Sequence, residues 1–334
     1  MNEITEKMEA MHPGITTKGD RLVVGVSGGK DSGALCLMLK DHGFGPDDYD
    51  RVFCDTGWEL PEVYDYLRGP LTDAVGPITE LRPEIALSPR LEEIAAQLEE
   101  RMGHHSGMVR FILKKGMFPG RIVRFCTQEL KAKLSAAHLR TMDAEPINVI
   151  GIRADESAAR STAIPWDWSE LHDCWTWRPI LQWTWPDVIA IHQRHNLSPA
   201  PPYLAGAKRV GCAPCIMARK SEIAWLADQY PDRMTLLGDL ERAVSWLAAE
   251  KAAAKGKEFK HGRAWFQDPN PPRGKDGKVI SDFPGYDPVW PIDRVIKWAQ
   301  GPRNQVELFA GRKEDAGCMR WGFCDTGAPE EVTP

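Results

Sequence analysis

The chain has 334 residues, with 42 Lys and Arg against 47 Asp and Glu and a formal net charge of −5. That balance excludes a histone-like blanket of positive charge, so any nucleic-acid contact has to come from a local patch. With 43% hydrophobic residues the sequence can fill a packed core, which excludes wholesale disorder. The opening MNEITEKMEAMHPG mixes charges and lacks an apolar h-region, and no run approaches the roughly 18 apolar residues of a membrane helix. The expectation is a cytoplasmic protein, with no membrane partner, that keeps its eight cysteines reduced. In that compartment closely spaced cysteines more often mean metal or catalysis than disulfides.

In chain order, Leu22 to Val26 is a short apolar run of the kind found in a strand buried on both faces. It enters Ser27-Gly28-Gly29-Lys30-Asp31-Ser32-Gly33, after which Ala34 to Lys40 reads as helix. A second strand, Arg51 to Cys54, ends in Asp55-Thr56-Gly57, and Glu62 to Leu67 reads as helix. A third buried run, Ile147 to Ile152, ends at Arg153. Strands separated by helices predict a parallel sheet covered on both faces, with ligands at the carboxyl ends of the strands. Six tryptophans then fall between Trp166 and Trp185, and are expected in core and helix-packing roles. A helix is predicted from Thr184, with Asp187 completing a capping arrangement. Helical pattern returns over residues 221–254, and Pro and Gly dominate beyond Gly256.

Strand, Ser-Gly-Gly-Lys-Asp-Ser and helix together predict an anion site. The glycines let successive N–H groups approach a phosphate, and the helix turns its positive end to the same place. Ser27 and Ser32 add hydroxyl donors, Lys30 a point charge, and Asp31 suits the positioning of magnesium. The spacing is not that of a Walker A loop.

Four blocks in this order resemble the PP-loop ATP pyrophosphatases, in the branch named for phosphoadenosine phosphosulfate (PAPS) reductase. They are Ser27 to Ser32; Phe53 to Gly57 with Glu59 to Glu62; Gly151 to Arg153 with Glu156, Ser157 and Arg160; and Trp177 to Ile180. The resemblance implies an α/β fold with a doubly wound, mostly parallel sheet of the adenine nucleotide α-hydrolase type, and the helical and Pro/Gly-rich pattern beyond it predicts a helical, loop-rich C-terminal extension. The expected division is a nucleotide-binding domain over 1–200 and a cysteine-containing region over 201–334. The resemblance also implies that Ser27, Gly28, Gly29, Asp31 and Ser32 hold the pyrophosphate part of a nucleotide, that Asp55 and Gly57 lie near adenosine, and that Arg153 and Arg160 face phosphate or sulfonucleotide oxygens. Reductases that act on preformed PAPS resemble this branch but usually lack the Lys-Asp of the loop. Retention of Lys30 and Asp31 looks more like the members that bind ATP with Mg2+, adenylate a substrate oxygen and release pyrophosphate, with Lys30, Asp31 and Arg153 as the catalytic set. On that basis Asp31→Ala is expected to abolish pyrophosphate release and leave the fold intact.

Cys212-Ala-Pro-Cys215 places two sulfurs on one turn, the usual geometry for a metal or cluster. With Cys126 and either Cys318 or Cys324 they make four ligands for a 4Fe–4S cluster. Zinc on Cys212, Cys215, Cys318 and Cys324 is the rival reading. Cys36 and Cys54 are expected in the core. Iron–sulfur members of the branch, among them DNA-phosphorothioation sulfur-transfer proteins, look similar here, whereas assimilatory reductases carry a Cys-Cys pair where this chain has Phe125-Cys126. The tail cysteines also invite comparison with the nucleophile of PAPS reductases, with Arg320 available to lower a thiol pKa.

Residues 101–133 carry eight Lys or Arg around Cys126, a candidate surface for a nucleic-acid substrate. The resulting expectation is ATP-dependent adenylation followed by sulfur transfer from a donor protein. The alternatives are reduction of PAPS or adenylyl sulfate to sulfite, and a nucleotide-binding adaptor without turnover.

Overall fold

The computed structural model describes residues 3–13, 19, 21–121, 123–158, 160–259, 261–268, 272–274, 276, 278–280, 287–301 and 321. After a first helix α1 (Glu3–Met11), the strands are β1 (Arg21–Gly25), β2 (Tyr49–Cys54), β3 (Thr79–Leu81), β4 (Pro146–Ile150), β5 (Trp166–Ser169) and β6 (Cys174–Trp177). They form one sheet in the order β3-β2-β1-β4-β6-β5, parallel throughout except that β5 runs antiparallel to β6. β1 is central because Leu22, Val23 and Val24 are all buried, which only a strand paired on both sides and covered on both faces permits. Helix α2 (Lys30–Asp41) follows β1; α3 (Pro61–Tyr66), α4 (Pro89–Met102), α5 (Gly107–Lys115) and α6 (Lys133–Leu139) lie between β2 and β4. The chain winds outward from β1 to β3, then returns to place β4 on the other side of β1. That reversal opens a crevice at the carboxyl ends of β1 and β4, where doubly wound sheets bind ligands.

Trp177 is buried in the core and Trp166, Trp183 and Trp185 pack against it, as expected. The element that carries Trp166 to Trp177 is a strand pair: Trp166 stacks on Trp175 with centroids 5.1 Å apart, and Trp168 meets Trp175 edge-on. Period-two alternation in Trp-Asp-Trp-Ser and Cys-Trp-Thr-Trp favours this arrangement. Beyond α7 (Trp185–Arg194), the helical pattern over 221–254 is carried by two helices, α8 (Lys220–Gln229) and α9 (Pro231–Ala253). Pro231 has no N–H to continue α8 and forces Tyr230 out of helical geometry, so α9 restarts with Pro at its first position.

Glu241 on α9 joins α9 to the C-terminal helix α10 (Ile292–Gln300). Its two carboxyl oxygens accept the N–H groups of Trp265 (2.9 Å) and Ile292 (2.8 Å). Burial pushes this carboxyl up to about 7. Between the ordinary glutamate value and about 7 the folded chain retains a proton that the unfolded chain has released. Its contribution is therefore fully present below pH 4.5 and is lost as pH rises through 7. The span is on the order of 3 kcal/mol. Between pH 5 and pH 8 the denaturation midpoint of wild type should fall relative to that of Glu241→Gln, whose side chain is neutral throughout; a pH-independent gap would contradict this.

Candidate nucleotide and cysteine site

Between β1 and α2 the chain turns through Ser27-Gly28-Gly29. Gly28 has φ +67°, and a Cβ there would come within 2.7 Å of Val63 Cγ1. Gly28→Ala should therefore lower stability by about 1–3 kcal/mol, read as a fall in the thermal midpoint; an unchanged midpoint would show that the turn tolerates a side chain. The loop braces itself. Ser32 Oγ donates to the Gly29 carbonyl (2.9 Å) and accepts the Ser27 N–H (3.2 Å), while the Gly29 N–H faces Ser27 Oγ at 3.4 Å.

Lys30 and Asp31 occupy the first turn of α2. Asp31 takes Lys30 Nζ on one oxygen (2.9 Å) and Arg153 Nε on the other (2.6 Å). The second pair crosses the sheet reversal, from the end of β4 to the start of α2, and Arg153 is only 3% exposed. Burial opposes the charge on Arg153, yet Asp31 and Asp155 hold its pKa above the ordinary arginine value. Lys30 is also buried, its ammonium 4.7 Å from the Trp185 ring centre and 5.7 Å from that of Tyr203. Its carbonyl lies 2.9 Å from His192 Nε2.

Asp55 closes the turn after β2. One oxygen accepts the Gly57 N–H (2.8 Å) and the Tyr64 hydroxyl (2.7 Å), and the other pairs with Arg82 (3.0 Å). Gly57 has φ +65° and packs so closely on Ser106 that a Cβ would lie 2.4 Å from its Cα. Just beyond, Glu59 is 1% exposed and accepts from Thr56 Oγ1 (2.8 Å) and from the Trp58 N–H (3.1 Å). Cys212 Sγ lies 3.6 Å and Lys131 Nζ 3.8 Å from Glu59 Oε1.

A cavity of about 570 Å³ brings the two halves of the site together. Ser27 of the loop and Arg160 line it, and so do Cys126, Cys212 and Cys215. Asp55 and Gly57 are not among the described residues on its wall, and neither are Gly28, Gly29, Lys30, Asp31, Ser32 and Arg153. Burial pushes the Cys212 thiol up to about 12, against the pull of Lys131, and raises Cys126 as well. Lys131 in turn is raised above its ordinary value, first by Cys212 and then by Glu59. Behind the turn, Arg233 stacks on Trp58 at 4.0 Å and donates to the Ala213 carbonyl (3.0 Å), yet its Nη2 is buried without a partner. Among the described residues no three His, Cys, Asp or Glu side chains are gathered closely enough to hold a metal ion. Cys318 and Cys324 lie outside the described residues. Cys36 and Cys174 are buried away from the cavity wall, and Cys54 is partly buried.

Half of the basic run over 101–133 is engaged in ion pairs. Arg101 pairs with Asp239, Arg110 with Glu92 and Glu99, Lys131 with Glu59, and Lys133 with Glu129. Arg124 and the paired Lys131 lie on the cavity wall, where Lys208 and Arg209 join them. The sequence reading gave no role at the site to Glu59, Tyr203, Trp185 or Arg233. Their one local signal is the charged Glu59 in an otherwise apolar stretch.

A model of the phosphoadenosine phosphosulfate reductase domain matches residues 21–218, more than half of the chain. The chain belongs to that family. The matched range runs from β1 through the Cys212–Cys215 turn, so the loop, Arg153 and three of the candidate cysteines fall inside the PAPS reductase domain. Among curated relatives, an uncharacterized 37.8 kDa protein of Escherichia phage 186 is 34% identical over 259 residues, covering 67% of this chain and 75% of that one. Adenosine 5'-phosphosulfate reductase 1 of Bacillus subtilis is 24% identical over 198 residues, covering 59% of this chain and 74% of its own length. Among solved structures, the phosphoadenylyl-sulfate reductase of Candida auris has a TM-score of 0.44 and 16% identity, covering 64% of this chain and 92% of that one. Among the described residues no helix is long and apolar enough to cross a membrane.

Proposed function

We propose that the chain is an ATP-dependent member of the PAPS reductase family that adenylates an acceptor and then places sulfur on the activated position. The observation that carries this reading is the single cavity lined by both Ser27 of the phosphate loop and the thiols of Cys126, Cys212 and Cys215. Its described wall also carries Arg124, Lys131, Arg160, Lys208 and Arg209 against one carboxylate, Glu222, which favours a polyanionic acceptor such as a nucleic acid.

In this reading the loop N–H groups and the end of α2 hold the pyrophosphate part of ATP, and Lys30, Asp31 and Arg153 fix the loop and set its charge. Magnesium, when bound, supplies charge compensation on the phosphates, with Asp31 as its protein contact. An acceptor oxygen forms a bond to the α-phosphorus while the bond to the β-phosphate oxygen breaks, and pyrophosphate leaves. Hydrosulfide delivered by a donor protein then displaces AMP, which carries the acceptor oxygen away. Cys126, Cys212 and Cys215 share the cavity wall and, once drawn together with one of Cys318 and Cys324, would be the ligands of a 4Fe–4S cluster, with Lys131 and the free Nη2 of Arg233 to offset the negative charge of the thiolates. Such a cluster supplies a metal site for handling sulfur. Zinc would leave Cys126 on the same wall without a role.

A second reading, reduction of an activated sulfate with a tail cysteine as nucleophile, is supported by the similarity to the Bacillus subtilis reductase. Anaerobic protein incubated with ATP and candidate acceptors should release pyrophosphate. Sulfite release from adenylyl sulfate or PAPS without ATP would replace the first reading with the second.

A further inference from the structure

Trp321 stands three residues from each of Cys318 and Cys324 in sequence, yet its indole is 1% exposed. Its ring centre lies 5.3 Å from that of Trp185, 5.5 Å from His192 and 5.7 Å from Tyr203, each inclined by 53° or more. Its carbonyl accepts the Gln193 side-chain amide at 3.0 Å, across 128 residues. The same three aromatic residues hold Lys30. Trp185 and Tyr203 face its ammonium, the Tyr203 hydroxyl lies 3.5 Å from its N–H, and His192 meets its carbonyl. Nothing else in the mechanism uses Trp321.

We infer that Trp321 is a positioning residue for the phosphate loop: its indole fills the space behind Trp185, His192 and Tyr203 and so fixes Lys30 against Asp31. A cation over an aromatic face is held only while the ring keeps its orientation. An edge-to-face contact with Trp321 sets that orientation for Trp185, and a tilted contact sets it for Tyr203. Seating of the Trp321 indole and competence of the loop are then two sides of one coupling, and each favours the other. The part of this inference that concerns nucleotide affinity rests on the proposed ATP site; the part that concerns Lys30 does not.

The test uses the full chain as wild type, Trp321→Ala, Trp321→Leu and Trp321→Phe, prepared without oxygen. Acetylation of Lys30 by an N-hydroxysuccinimide ester is measured by peptide mass spectrometry, with Lys7, ion-paired to Glu3 and Asp48, as the internal reference. Lys30 should become roughly tenfold more reactive in the Ala and Leu variants, the equivalent of losing one desolvated cation–π contact. Lys7 should stay unchanged, and Phe should restore protection. The Kd for ATP with magnesium should weaken by a similar factor in the same two variants. If Ala fails to fold, Leu, which keeps bulk without a ring, decides the matter. Unchanged Lys30 reactivity in a folded Leu or Ala variant, or an equal rise at Lys7, would overturn the inference. Lys30 exposed in these variants while wild type binds no ATP would instead leave Trp321 in its role and remove the nucleotide reading.

Discussion

Asp31→Asn should lower pyrophosphate release from ATP by at least about a hundredfold, the usual cost of removing one preorganised charge or donor from a phosphoryl-transfer site. The replacement is nearly isosteric, but one oxygen now becomes an amide nitrogen facing either Lys30 Nζ or Arg153 Nε, which approach to 2.9 Å and 2.6 Å. Neither cation has much access to water, since both are under a tenth exposed. The variant therefore loses the carboxylate between two buried cations, and stability should fall as well, by about 3–5 kcal/mol. This revises the expectation drawn from sequence alone, that Asp31→Ala would leave the fold intact. Asp31 is the counter-ion of two buried cations in the sheet crevice. A thermal scan beside the rate separates the effects: the pyrophosphate rate should remain depressed at temperatures where the variant is fully folded. A folded variant with the wild-type rate would remove Asp31 from the chemistry.

Cys212→Ser should abolish iron binding in anaerobically prepared protein. The serine oxygen can still meet Thr56 and Glu59, which surround the sulfur at 3.7 Å and 3.6 Å, so the turn should fold while a soft thiolate ligand is lost. Cys174→Ser is the matched control, because Cys174 is buried on β6 and does not line the cavity. Iron and sulfide should disappear from the first variant and persist in the second. Equal iron content in the two would take Cys212 out of the ligand set. Zinc in wild type without iron would turn the assignment to the rival metal.

Much of the site's skeleton was legible because its signals are local. An apolar run followed by Ser-Gly-Gly-Lys-Asp-Ser specifies strand, turn and helix within about a dozen residues, and Thr184 with Asp187 forms the expected capping box, with an N–H···O distance of 2.7 Å. The convergence of Arg153 on Asp31 could be anticipated only as a rule about strand ends, not as a contact. What stayed hidden depends on residues far apart in the chain. Lys30 is held by Trp185 and Tyr203, more than 150 positions away, and no periodicity relates them. The basic run around Cys126 looked like a continuous surface because its counter-charges, Asp239, Glu92, Glu99 and Glu59, lie outside it in sequence. A charge run read without its tertiary partners overstates the free positive surface. The strand pair at Trp166–Ser169 and Cys174–Trp177, by contrast, carried a readable alternation that the density of tryptophan obscured.

The most direct test of the account is a calorimetric titration of anaerobically prepared full-length protein with ATP in the presence of magnesium. A saturable transition with one nucleotide per chain is predicted, because the amide-lined turn after β1 opens onto the cavity through Ser27. A flat titration, with folded protein in the cell and every cysteine reduced, would contradict it.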